Sequence, residues 1–251
     1  MKTIPMVILI VSVIGNLIGA YILYKSVRLR EENGLLHKYQ DDLLNKFKNL
    51  QADYPAISFY SEENRRLLTE TSPAQRKEMT VFFGASITKS WDTEKYFPDL
   101  KIINRGIGAQ SDMQLLARFS SDVLRLNPGR VVIKFCSGNF HPQADPEMIW
   151  DEYETMARMA QVRNIEPILA TVVPLTRRAE EYENYSMTEH IKEFNNRIRK
   201  FAADEKLVLA DYYQAMADKE GYLPDSLARD AIHPDEEGYL IMTRVIKPLL
   251  E

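Results

Sequence analysis

The chain has 251 residues, 45% apolar and 27% charged, which suits one α/β domain with a smaller attachment and excludes a disordered, collagen-like or polytopic membrane protein. Thirty-two Lys and Arg against 36 Asp and Glu leave a net charge of −4, so no basic field offers itself to nucleic acid. One cysteine, Cys136, excludes an intrachain disulfide framework and a Cys-rich zinc site, and four histidines (His37, His141, His190, His233) leave few candidates for imidazole chemistry.

Residues 1–25 stand apart from the rest. Between Lys2 and Lys25 lie 22 residues without a charge. As a helix rising ~1.5 Å per residue they reach ~33 Å, enough to cross a hydrocarbon core of ~30 Å. Tyr21 and Tyr24 lie at one end, where interfacial aromatics belong. A cleaved signal peptide is the rival reading. The apolar run is long for one, and Ile18-Gly19-Ala20 puts a bulky residue where a small one is preferred. The expectation is an uncleaved single-pass transmembrane helix that holds the protein on a membrane. Lys25, Arg28 and Arg30 against Lys2 and the amino terminus lean, by about one charge, towards a cytoplasmic C-terminal part.

Residues 26–72 read as a helical linker or stalk. Leu36, Leu43 and Leu50 recur every seventh residue, with Tyr39 and Phe47 between them, which predicts an amphipathic helix over 35–50. Such a helix packs on the main domain, or pairs two chains as a weak homodimer. Two heptads are few for a coiled coil, which favours the first. Pro55 and Ser72-Pro73 punctuate the approach to the main domain, residues 73–251.

From residue 79 short apolar runs alternate with helical spacing. Residues 79–84, 101–106, 130–136, 166–173 and 206–213 read as strands, being continuously apolar and rich in β-branched or aromatic residues. Residues 110–126, 145–163, 187–204 and 235–250 read as helices. Five strands separated by helices imply a mainly parallel sheet with helices on both faces, an α/β fold. Ligands of such sheets bind at the carboxyl ends of the strands. There stand Ser86 after the first strand, Gly108 after the second and Asn139 after the third, with Asp230-Ala231-Ile232-His233 before the last helix.

Singly, each of these has a plain reading. Ser86 is a helix cap, Gly108 a turn, Asn139 a loop stabiliser, Asp230 a cap and His233 a surface residue. Together they supply a nucleophile, oxyanion donors, a base and its orienter, the inventory of acyl transfer. At this point the chain resembles the SGNH hydrolases, also called the GDSL lipase/esterase family. GASIT resembles the first block with Ser86 as nucleophile, and NRGIGAQS the second with Gly108 as backbone donor. SGNF resembles the third with Asn139 as side-chain donor, and DAIHPDEEGY the last with Asp230 and His233. The resemblance implies a three-layer α/β/α sandwich of flavodoxin-like type, no metal or organic cofactor, and hydrolysis or transfer of ester-linked acyl groups. It also places the domain outside the cytoplasm, against the charge count.

Three positions depart from that pattern. Ala85 and Phe140 stand where the family usually carries Asp, and Ser137 where it carries Gly. Three further residues are read without a catalytic role: Lys134 as a strand lysine that pairs with a carboxylate or snorkels out to solvent, Cys136 as a small core residue, and His141 as a solvent-facing loop residue. The polar segment 175–186, with Arg177, Arg178, Tyr182 and Tyr185, is expected at the pocket rim. The reading is a membrane-anchored serine esterase for a small-molecule, carbohydrate or lipid ester. The alternatives are an O-acyltransferase using the same residues, or a catalytically silent scaffold of the same fold.

Overall fold

The computed structural model describes residues 19, 21–41, 44, 53–180 and 186–251. They fall into two units divided after Tyr54. In the first, residues 21–41 are helical, and Tyr21, Ile22, Leu23 and Tyr24 are exposed. No helix among the described residues is long and apolar enough to cross a membrane. The expected anchor falls mostly on residues 1–18 and 20, outside the described residues, as do positions 42, 43 and 45–50 of the expected amphipathic helix.

The second unit carries, in chain order, α1 (Ser61–Glu70), α2 (Pro73–Lys77), β1 (Thr80–Gly84), α3 (Ser86–Lys89), α4 (Thr93–Tyr96), β2 (Ile102–Gly106) and α5 (Asp112–Phe119). There follow β3 (Arg130–Lys134), α6 (Pro146–Val162), β4 (Glu166–Ala170), α7 (Met187–Glu205), β5 (Val208–Ala210), α8 (Tyr212–Met216) and α9 (Glu236–Ile246). Residues 55–72, grouped above with the linker, lie in this unit. Tyr60 Oη donates to the Gly106 carbonyl (2.6 Å), and Arg105 Nε donates to Asn64 of α1 (2.9 Å), so α1 is tied to β2.

All five strands are parallel, in the spatial order β2-β1-β3-β4-β5. Their carboxyl ends are level: Gly84 sits opposite Gly106 and Lys134, and Ala170 opposite Lys134 and Ala210. Alternate side chains enter two cores. Val81, Phe83, Ile133 and Leu169 meet the apolar faces of α5, α6 and α7, while Phe82, Val132 and Ile168 meet those of α8 and α9. The result is the expected three-layer α/β/α sandwich. Because the chain grows outward from β1 in both directions, a crevice opens at the carboxyl ends of β1 and β3.

Two glycines let α3 settle on those strand ends. A Cβ on Gly106 would stand 2.1 Å from the Lys89 nitrogen, and one on Gly84 2.3 Å from Thr88 Oγ1 and 2.7 Å from the Lys134 carbonyl. Any side chain there would lift α3, and Ser86 with it.

Several elements are shorter than their apolar runs. β4 ends at Ala170 although Val172, Val173 and Leu175 are buried. The Asn195 amide of α7 takes the place of a neighbouring strand, accepting from Val172 N–H (2.8 Å) and donating to its carbonyl (2.9 Å). β5 ends at Ala210 because Asp211 caps α8 by accepting from Gln214 N–H. The helix read over 110–126 begins at a capping box of Ser111 and Gln114 and passes into a π-helical turn at Ser120–Leu124.

Candidate active site

Ser86 is the first residue of α3, directly after β1, and Ala85 precedes it as a buried N-cap residue. A first-turn N–H has no acceptor within its own helix, so the Ser86 amide is a donor by position. Ser86 Oγ lies 2.8 Å from His233 Nε2. His233 Nδ1 lies 2.9 Å from both carboxylate oxygens of Asp230. The sequence places these residues in two segments 144 positions apart at the nearest; the sheet edge brings them into one line.

The local fold holds that line by short bonds. Asp230 Oδ1 accepts from Ile232 N–H (3.0 Å) and His233 N–H (2.9 Å), which winds the segment into a turn. An isolated bridge between Ala228 and Pro234 closes it. Thr176, after β4, donates to the Ala231 carbonyl through N–H (3.0 Å) and Oγ1 (2.8 Å). Tyr239 of α9 donates to the Ile87 carbonyl (2.8 Å), tying the histidine side to the serine side. Burial acts to raise the Asp230 pKa. The two backbone N–H groups and the His233 ring outweigh it and hold Asp230 down at about 2. Asp230 is therefore a fixed negative charge against the ring at any pH well above that value.

These groups face a cavity of about 360 Å³ lined by Ser86, Ala109, Asp112, Cys136, Asn139, His141 and His233, among others. Asn139 is buried, in a single 3₁₀ turn after β3, and its Oδ1 accepts from Cys136 N–H (3.2 Å). Of the five residues singled out by sequence, four are thus brought together. Gly108 is not among those lining the cavity. Its neighbour Ala109 is, and has a left-handed backbone (φ +59°). A larger groove of about 630 Å³ runs between Leu124 and α6, and no nucleophile–base pair lines it.

Phe140 is buried against Phe194, ring centroids 5.0 Å apart, so the side chain at this departure from the family pattern belongs to the core. Cys136 is not a core residue but lines the cavity, its thiol 3.1 Å from Asn139 Oδ1; burial pushes the thiol pKa up, which keeps it a donor. His141 is exposed as expected, yet at the cavity mouth. Lys134 is buried and donates to the Phe135 carbonyl (3.3 Å), and burial lowers it to about 8. It neither snorkels out nor has a carboxylate partner among the described residues. Arg177 and Arg178 pair with Glu220 and Asp225 instead of lining the cavity, and Tyr182 and Tyr185 lie outside the described residues.

One support was missed altogether. Arg118, wholly buried on α5, donates to Gln110 Oε1, to the Gly84 carbonyl (2.8 Å) and to Asp122 (2.8 Å). Gln110 in turn donates to the Pro55 carbonyl (2.9 Å). Arg118 therefore fastens the end of β1 to the loop after β2. Its signal was present in the spacing, since Leu115, Arg118, Phe119 and Asp122 form one buried helical stripe.

The comparisons with known proteins agree with this geometry. The model of the GDSL-like lipase/acylhydrolase family matches residues 82–241. An acetylxylan esterase from Geobacillus stearothermophilus is 25% identical over 158 residues, 59% of this chain and 72% of that protein. The crystal structure of a GDSL-like lipase from Bacteroides thetaiotaomicron superposes with a TM-score of 0.72 at 29% identity, covering 79% of this chain and 98% of that one. A lipase/acylhydrolase from Enterococcus faecalis shares the fold, with a TM-score of 0.56 at 24% identity over 69% of this chain and 97% of its own. The matched span runs from within β1 into α9 and so holds Ser86, Asn139, Asp230 and His233, and on that ground the chain belongs to the GDSL-like lipase/acylhydrolase family, the SGNH hydrolases.

Proposed function

We propose that the protein is a serine esterase that removes short acyl groups from a hydroxylated carrier through an acyl-enzyme on Ser86. The observation that carries this reading is the Ser86–His233–Asp230 line, 2.8 Å and 2.9 Å between successive side chains. Serine hydroxyl is a poor nucleophile until a base removes its proton. His233 Nε2 is placed to take that proton as Ser86 Oγ attacks the ester carbon, while Asp230 holds Nδ1–H and steadies the imidazolium. The carbonyl oxygen becomes an oxyanion facing the Ser86 N–H and the Asn139 amide. Collapse breaks the ester C–O bond, and His233 returns the proton to the departing alcohol. Water, deprotonated by the same imidazole, then releases the acid.

The cavity supports a short acyl group. At about 360 Å³ it is near the small end of ligand sites, which run from ~300 to ~1,000 Å³. The likeness to an acetylxylan esterase supports acetyl on a carbohydrate carrier. With p-nitrophenyl esters, kcat/KM is expected to be highest for acetate and to fall at least ~10-fold by octanoate, since a long chain must leave the cavity for water. Equal values for acetate and octanoate would remove the short-acyl assignment. Absence of turnover on every ester would favour a silent scaffold.

The uncharged run between Lys2 and Lys25 supports attachment to a membrane, and a carbohydrate carrier supports a domain outside the cytoplasm. A reporter fused after Glu251 tests this: activity only of an extracytoplasmic reporter is expected, and activity only of a cytoplasmic one would reverse it.

A further inference from the structure

Asn139 can serve an oxyanion only through its nitrogen. Rotated by half a turn about its last bond, the amide would present an oxygen and repel the developing charge. Two sets of contacts decide which end faces the cavity. Cys136 holds Oδ1, with its N–H at 3.2 Å and its thiol at 3.1 Å. On the other side Nδ2 donates to Asp112 Oδ1 at 3.2 Å. Asp112 opens α5 and lines the same cavity as Ser86 and His233. Behind it, Glu152 of α6 is 8% exposed, its pKa raised by burial and by the neighbouring Asp112, and its Oε2 has no hydrogen-bond partner among the described residues.

We propose that Asp112 is a positioning residue: with Cys136 it locks the Asn139 amide so that Nδ2 serves the oxyanion, and Glu152 holds Asp112 in turn. This rests on the esterase reading of the same cavity. An amide nitrogen carries two hydrogens; Asp112 engages one and leaves the other for the oxyanion. A bare carboxylate beside a site of developing negative charge opposes catalysis. A proton held between Asp112 and Glu152 spreads that charge over two groups. Burial, then the neighbouring Asp112, raise Glu152 to about 7, so Glu152 still holds its proton at mildly acidic pH and is losing it at neutrality. The other titratable groups at this place are Cys136, Lys134 at the end of β3, His141 on the following loop, and His233 on the same cavity.

The test measures p-nitrophenyl acetate turnover by the full chain. Asp112→Ala is expected to lower kcat by about 10- to 100-fold with little change in KM, part of the ~10²–10³ that loss of an oxyanion donor costs. Asp112→Asn keeps an acceptor for Nδ2 and a donor towards Glu152, and should restore most of that loss. Wild-type kcat should decline as pH rises through about 7, where Glu152 loses its proton, and Glu152→Gln should remove the decline. Asp112→Ala with wild-type kcat beside an inactive Ser86→Ala would overturn the positioning role and leave the esterase reading standing. Equal losses in Asp112→Ala and Asp112→Asn would also overturn it. Turnover that survives Ser86→Ala, or a wild type without turnover, would remove the esterase reading and this inference together.

Discussion

Ser86→Ala is expected to lower kcat on p-nitrophenyl acetate by at least ~10³-fold, and His233→Ala by a similar factor, because nucleophile and base act as a unit. The double variant should be scarcely slower than either single one. Asp230→Ala should cost less, since an imidazole that is poorly oriented still accepts a proton. Asp230 is held at about 2, so its protonation contributes nothing to any fall in rate at mildly acidic pH. His141→Ala is the control. His141 borders the same cavity, but its ring contacts Gln143 (3.3 Å to Oε1), so kcat should change little. Steady-state kinetics on the four single variants and the double variant check the pattern. A His141→Ala loss as large as that of His233→Ala would contradict it.

The second large effect is on stability. Arg118 and Asp122 both have side chains with 0% exposure, and Arg118 also lies over the Phe83 ring, 4.3 Å from its centroid. Arg118→Ala would leave the Asp122 charge buried with the neutral donors Asn64 (2.8 Å) and Ser121 (3.3 Å) and strip a donor from the Gly84 carbonyl. Removing one member of a buried pair costs ~3–5 kcal/mol, a large share of the ~5–15 kcal/mol that a domain has. The double replacement Arg118→Met with Asp122→Leu should recover much of it, because an apolar pair of similar volume leaves no unpaired charge. Urea midpoints at constant m-value measure both. A change below ~1 kcal/mol for Arg118→Ala would place the pair among interactions of surface type.

The strand ends were legible because a parallel sheet buried on both faces leaves continuous apolar runs, and because Ser86 and Asn139 follow such runs closely. Asp230 and His233 were legible by their spacing of three, which the turn through Ile232 N–H makes into a hydrogen-bonded pair. The loop after β2 was harder. Gly108 was named for its backbone N–H through likeness to the family's second block, and beside it Ala109 adopts a left-handed conformation and borders the cavity. Cys136, Asp112 and Glu152 gave no local signal, since their role comes from contacts between β3, α5 and α6. Arg177 and Arg178 drew attention as exposed charges. Glu220 and Asp225, more than 40 positions downstream, decide where they point.

The central claim is that Ser86 is an activated nucleophile. Treating the full chain with a fluorophosphonate and locating the adduct by peptide mass spectrometry tests it without any assumption about the natural ester. One adduct on the peptide containing Ser86, strongly reduced in His233→Ala, is the predicted result. A folded wild type that takes no label, or an adduct on a different serine, would contradict it.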